Sequence, residues 1–171
     1  ERSIWMAKPS IVFNATQVDG YELPETPQAD QTEVIEEAEA FVNATGAAVH
    51  HGGCRAFYRP STDSIHMPDR TLFVGTKSST PTEAYYSTLF HELTHWTGAE
   101  SRLNREMGKR FGDQAYAAEE LVAELGAAFL CADLKITPEP REDHASYIDH
   151  WLELLKSDKR AIFHAAARAS E

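Results

Sequence analysis

His91-Glu92-Leu93-Thr94-His95 places two imidazoles four residues apart, with a carboxylate beside the first. On a helix, positions i and i+4 are neighbours, so both rings can reach one ion. Two neutral imidazoles leave a tetrahedral divalent cation room for a third side chain and a water. Glu92 is too close in sequence to be an ideal ligand but well placed to take a proton from that water, as the general base of a metal-assisted peptide hydrolysis. Such chemistry requires a helix under the motif and a further ligand from elsewhere in the chain.

Local signals for the helix agree with one another. Thr80 and Glu83 have the spacing of a capping box, and Pro81 falls at the first helical position, where its missing N–H costs nothing. Tyr86, Leu89, Phe90, Leu93 and Trp96 recur at three- and four-residue steps and form one apolar stripe. Gly98 stands where a left-handed C-terminal cap is wanted. These features predict a helix over Pro81 to Thr97.

A second long helix is expected from an N-cap at Asp113 to about Leu134, with Leu121, Leu125, Ala128, Phe129 and Ala132 as its apolar stripe. Glu120 and Glu124 lie four apart on one face, in line with Ala127 and Cys131. Like charges at that spacing cost roughly 0.2–0.5 kcal/mol even in water. Near a core they cost more, unless a cation or a histidine N–H lies between them. Glu120 is the favoured third metal ligand, with Glu124 hydrogen-bonding behind the ligands or ligating in its place. Glu119 points about 100° away and is the weaker candidate. Gly126 is a poor helix former, so close approach of another helix is expected there.

Other elements frame this pair. Val34, Ile35, Ala38, Phe41 and Val42 give helical spacing from about Asp30 to Thr45, stopped by Gly46. Two or three short antiparallel strands are expected between Ala47 and Phe73, with a further short strand at Thr71–Val74. His50 and His51 are adjacent on a strand and point to opposite faces, so they read with His66 as surface or turn residues. Tyr58 and Asp63 read as hairpin residues before groove residues, and Arg102 and Arg105 as solvated before carboxylate-binding. After Pro138 and Pro140 two more helices are expected, on which His144, His150 and His164 read as surface or core-edge residues before ligands, with one of them able to orient a substrate oxyanion.

The 171 residues suit one domain, residues 29–171, preceded by an extended arm or linker over 1–28. The net charge of −11 argues against this chain gripping a phosphate backbone by itself. No apolar run is long enough to cross a membrane, and no signal-peptide pattern opens the chain. Cys54 and Cys131 are far apart with no zinc-knuckle spacing, which suits free thiols in the cytoplasm. The first residue is Glu1 rather than Met, from which a longer parent protein is expected.

Three blocks together carry a resemblance to a known family: Phe90-His-Glu-Leu-Thr-His-Trp-Thr-Gly98, Ser101-Arg-Leu-Asn-Arg105 and Tyr116-Ala-Ala-Glu-Glu-Leu-Val-Ala-Glu-Leu-Gly126. They resemble the C-terminal zincin-like metallopeptidase domain of ArdC-type antirestriction proteins, a domain that recurs in conjugative TraC-type primases and phage polyvalent proteins. Phe13-Asn14 and Tyr147-Ile-Asp-His-Trp151 extend the likeness over nearly the whole chain. The resemblance implies an α+β zincin core with a small antiparallel sheet, and a metal held by His91 and His95. It also implies Glu92 as the catalytic glutamate and a third ligand from the Glu120/Glu124 segment. Zinc is the expected ion, with Mn(II) or another divalent transition metal able to fill such a site. The implied role is a peptidase domain protecting incoming plasmid or phage DNA from host restriction, its substrate a protein or peptide. Single-stranded DNA would be bound by a separate N-terminal domain of the parent. The alternative is a catalytically silent zincin fold that sequesters a host protein.

Overall fold

The computed structural model describes residues 32–75, 79–106, 114–136, 151, 155–156 and 158–171. The expected arm over 1–28, the N-cap at Asp113, His144, His150 and most of the helix expected around Trp151 lie outside them. Among the described residues the order is α1 (Glu36–Thr45), β1 (Ala48–His51), β2 (Phe57–Arg59), β3 (Ser64–Met67), α2 (Pro81–Thr97), α3 (Gln114–Asp133) and α4 (Ala161–Ala169). No described helix is long and apolar enough to cross a membrane.

The first helix buries Ala38 and Val42, while Phe41 meets Phe90 edge to face at the rim. It ends at Gly46, whose φ of 74° is the left-handed conformation a glycine adopts without strain. The three strands form an α+β fold's small sheet in the order β1-β3-β2. That sheet is mixed and not purely antiparallel as expected: β2 and β3 make an antiparallel hairpin, but β3 inserts between β2 and β1 and runs parallel to β1. The loop after His51 carries the chain past the β3 position to the far edge, so the hairpin returns into the gap. Ile65 and Met67 turn inward from β3 and are fully buried. Thr71–Val74 is no strand; Arg70–Leu72 makes one 3₁₀ turn leading toward α2.

Of the two long helices, α2 packs against this sheet, and α3 packs on α2 and α4. In α2 Tyr85, Tyr86, Leu89, Phe90 and Leu93 are buried in a cluster with Ile65, Met67, Ala127 and Cys131. Its start is a complete capping box: the Thr80 hydroxyl accepts from the Glu83 N–H while the Glu83 carboxylate accepts from the Thr80 N–H at 2.7 Å. In α3 the buried positions differ from the single stripe expected. Ala123, Ala127 and Cys131 are buried, whereas Phe129 and Ala132 are exposed. Leu121 and Val122 form a second small core with Ala165 of α4. The helix lies between α2 and α4, so it buries two faces, and small residues serve the closer contact. Gly126 marks that contact, since a Cβ there would lie 2.6 Å from the Thr94 hydroxyl oxygen and 2.7 Å from its methyl.

Candidate metal centre

The His91–His95 motif lies in α2 and the acidic face in α3, and the Gly126–Thr94 contact brings the two helices to near touching distance. His91 and His95 are neighbouring rings, 4.7 Å between centroids and almost perpendicular. Their Nε2 atoms are 3.1 Å apart. Glu120 reaches between them, with one oxygen 3.4 Å from His91 Nε2 and the other 3.6 Å from His95 Nε2. One ligand atom from each of the three residues lies within 4.8 Å of the others. A tetrahedral ion bound at about 2.0–2.1 Å separates its ligand atoms by roughly 3.3–3.4 Å. The observed spacings lie near that value, so His91, His95 and Glu120 could together hold a divalent transition metal.

Each imidazole has a carboxylate on its other nitrogen. Glu124 meets His91 Nδ1 at 3.1 Å and Glu119 meets His95 Nδ1 at 3.3 Å. An acceptor on Nδ1 places the proton there and leaves the Nε2 lone pair free for a cation. Glu124 therefore stands behind His91, and the carboxylate beside both Nε2 atoms belongs to Glu120. Glu119, the weaker candidate by helical angle, has a role the spacing did not reveal. It sits 4% exposed behind His95, and Arg105 donates to both of its oxygens.

The cluster is electrostatically unbalanced without a cation. Burial disfavours the charged form of His91, but the hydrogen bonds it donates to Glu120 and Glu124 outweigh it and push the pKa up to about 10. His95 is likewise raised, burial opposing and Glu119 and Glu120 prevailing. Burial acts to raise Glu120, yet the two histidines hold it well below the usual carboxylate range. Glu92 is buried on α2, 8% exposed, and its charge is among those acting on His91.

Other sequence candidates fall elsewhere. His51 turns toward Tyr85, its Nε2 2.8 Å from the phenol oxygen, whereas His50 lies on the opposite face beside His66. His164 is exposed on α4. Arg102 and Arg105 do bind carboxylates, but those of this chain. Arg102 stacks on Trp96 at 3.8 Å and donates to Asp63, which also accepts from the Tyr58 hydroxyl. Tyr58 and Asp63 are thus engaged at the hairpin turn. Gly98 takes no left-handed cap, its φ being −74°. A Cβ there would sit 3.0 Å from Arg105 Nη2, so the glycine leaves room for the guanidinium.

The chain is similar to known proteins in sequence and fold. An uncharacterised protein of Sinorhizobium fredii, y4eC, is 48% identical over 165 residues, covering 96% of this chain and 52% of that protein. A DNA primase TraC of Escherichia coli is 45% identical over 164 residues, 95% of this chain and 15% of the primase. The Mn(II)-bound crystal structure of the antirestriction protein ArdC from plasmid R388 superposes with a TM-score of 0.67 at 45% identity, covering 92% of this chain and 56% of ArdC. The chain thus spans about half the length of y4eC and of ArdC, and a smaller part of the primase. Residues 36–168 match the family model described as a zincin-like metallopeptidase, so by sequence as well as by architecture this chain belongs to the zincin-like metallopeptidase family.

Proposed function

We propose that this chain is the metal-dependent peptidase domain of an antirestriction protein, with His91, His95 and Glu120 as metal ligands and Glu92 as the catalytic acid–base. The observation that carries the reading is the convergence of the two Nε2 atoms and the Glu120 carboxylate at ligand spacing. A bound divalent cation would polarise the scissile carbonyl and acidify its water. Zinc is the ion favoured by two histidines and a carboxylate, and the Mn(II)-bound ArdC structure supports manganese as well. Glu92 takes the proton from the attacking water and passes it to the leaving amine. Glu124 and Glu119 keep the histidine protons on Nδ1. The low dielectric of the buried cluster strengthens each of these interactions.

The likeness to the antirestriction protein ArdC supports a role in protecting incoming DNA from restriction; in this reading the peptidase chemistry makes a host protein or peptide the substrate. Single-stranded DNA is assigned to a part of the parent protein outside this chain. Residues 29–171 form the peptidase domain in this reading, with 1–28 as its arm.

Glu92→Gln provides the test, read by elemental analysis of bound metal and by cleavage of a randomised peptide library. The expected result is retained metal with hydrolysis reduced by about 10²–10⁴. Equal cleavage by wild type and variant would overturn the mechanism. Metal binding with no cleavage by wild type of the library or of restriction subunits would instead favour a silent module that sequesters a host protein.

A further inference from the structure

Arg105 lies in the loop after α2 and is only 8% exposed. Its guanidinium donates to both Glu119 oxygens, Nε at 3.0 Å and Nη2 at 2.9 Å. It also donates to the Thr97 hydroxyl at 2.8 Å and to the Thr94 carbonyl, both in the last turns of α2. The same Glu119 oxygen that accepts from Nη2 faces His95 Nδ1. One arginine therefore holds the C-terminal end of the metal helix and, through Glu119, the ring of its second histidine.

A buried ion pair is a weak device for stability alone. Removing two charges from water costs several kcal/mol per ion, and a well-packed apolar pair is often as stable. What an apolar pair cannot do is present an oriented acceptor to an imidazole N–H. With both oxygens facing guanidinium N–H groups, the Glu119 carboxylate has one orientation, and its remaining lone pairs can only accept. His95 must then carry its proton on Nδ1 and aim Nε2 toward His91 and Glu120.

We infer that Arg105 and Glu119 form a positioning unit that presets the tautomer and ring angle of His95, and so the affinity of the site for its metal. The inference rests on the reading of His91, His95 and Glu120 as ligands. Arg105 acts through Glu119 and touches neither ion nor substrate.

The experiment compares wild type, Glu119→Gln, Arg105→Lys and the apolar pair Arg105→Met with Glu119→Leu in the full chain. Zn(II) affinity is measured by competition with a chromophoric chelator, and thermal unfolding of each metal-free protein is measured in parallel. Loss of a hydrogen-bonding partner behind a metal ligand typically weakens binding about 10–100-fold. That loss is expected in Glu119→Gln and equally in the apolar double variant, whose metal-free unfolding temperature stays near wild type. Arg105→Lys, which keeps the charge without the fork, is expected between the two. Should an arginine variant fail to fold, the near-isosteric Glu119→Gln decides by itself. Wild-type Zn(II) affinity in Glu119→Gln would overturn this inference while leaving the metal centre standing. No Zn(II) binding by wild type would overturn both.

Discussion

Arg105 balances Glu119, and a proton or a metal ion can supply positive charge to the rest of the carboxylates around the two histidines. In the metal-free protein His91 is pushed up to about 10 from an ordinary 6.5, and Glu120 is held below 4.5. A raised histidine contributes stability that is fully present below 6.5 and is lost as pH rises through about 10. A depressed carboxylate contributes stability present above 4.5 and lost as pH falls through its lowered value. Both contributions are complete only between about 4.5 and 6.5, where the metal-free protein should be most resistant to urea. A metal must displace the His91 proton, so Zn(II) uptake at pH 7.5 should release about one proton or more. Titration calorimetry in buffers of different ionisation enthalpy reads this directly. The apparent affinity should rise roughly tenfold per pH unit from 7 to 9. A pH-independent affinity would show that His91 holds no proton for the metal to displace above pH 7.

Between elements, the site depends on how closely α3 approaches α2. Gly126 would gain about 1 kcal/mol of helix propensity if replaced by alanine. Its added Cβ, however, would meet both branches of the Thr94 side chain at 2.6–2.7 Å. Thr94 is buried and its hydroxyl already donates to the Phe90 carbonyl, so rotating it gives up that bond and clears at most one of the two contacts. Gly126→Ala is therefore expected to lose stability on balance, by about 1–3 kcal/mol as overpacking generally does, measured as a shift in urea midpoint. The separation forced on the helices should also draw Glu120 away from the Nε2 atoms and weaken Zn(II) binding. Unchanged stability together with unchanged affinity would show that the helices yield without cost. A second tie joins the metal helix to the hairpin: Arg102, stacked on Trp96, donates to Asp63 at the β2–β3 turn.

For the molecule as a whole, a metal that links α2 to α3 is a cross-link made only in the folded state. Its presence should raise the unfolding free energy by about 2.7 kcal/mol when free metal stands at a hundred times its dissociation constant. Thermal scans with Zn(II), with Mn(II) and with a chelator check this, and identical midpoints would argue against a folded-state site. The net charge of −11 sets a further expectation. Binding a nucleic-acid backbone requires clustered cations and declines steeply with salt. This chain alone should give no salt-sensitive shift of a single-stranded oligonucleotide in fluorescence anisotropy. A tight, salt-dependent complex would move the DNA contact into this domain.

The motif helix was legible residue by residue because its determinants are local. Thr80, Pro81 and Glu83 act within one turn of one another, and the 3.6-residue period alone places His91 beside His95. The Gly126 contact was legible as well, since a poor helix former inside a helix needs a reason. Other features depended on segments distant in sequence meeting in space. That α3 buries two faces, that β3 lies parallel to β1, and that Gly98 makes room for an arginine instead of capping in the left-handed region all follow from packing partners. The division of labour among Glu119, Glu120 and Glu124 follows from them too. Helical spacing could separate Glu119 from the other two by angle, but not assign an oxygen to a nitrogen. That depends on the rotation of α3 against α2 and on Arg105 arriving from a loop, which are set by the whole fold's packing.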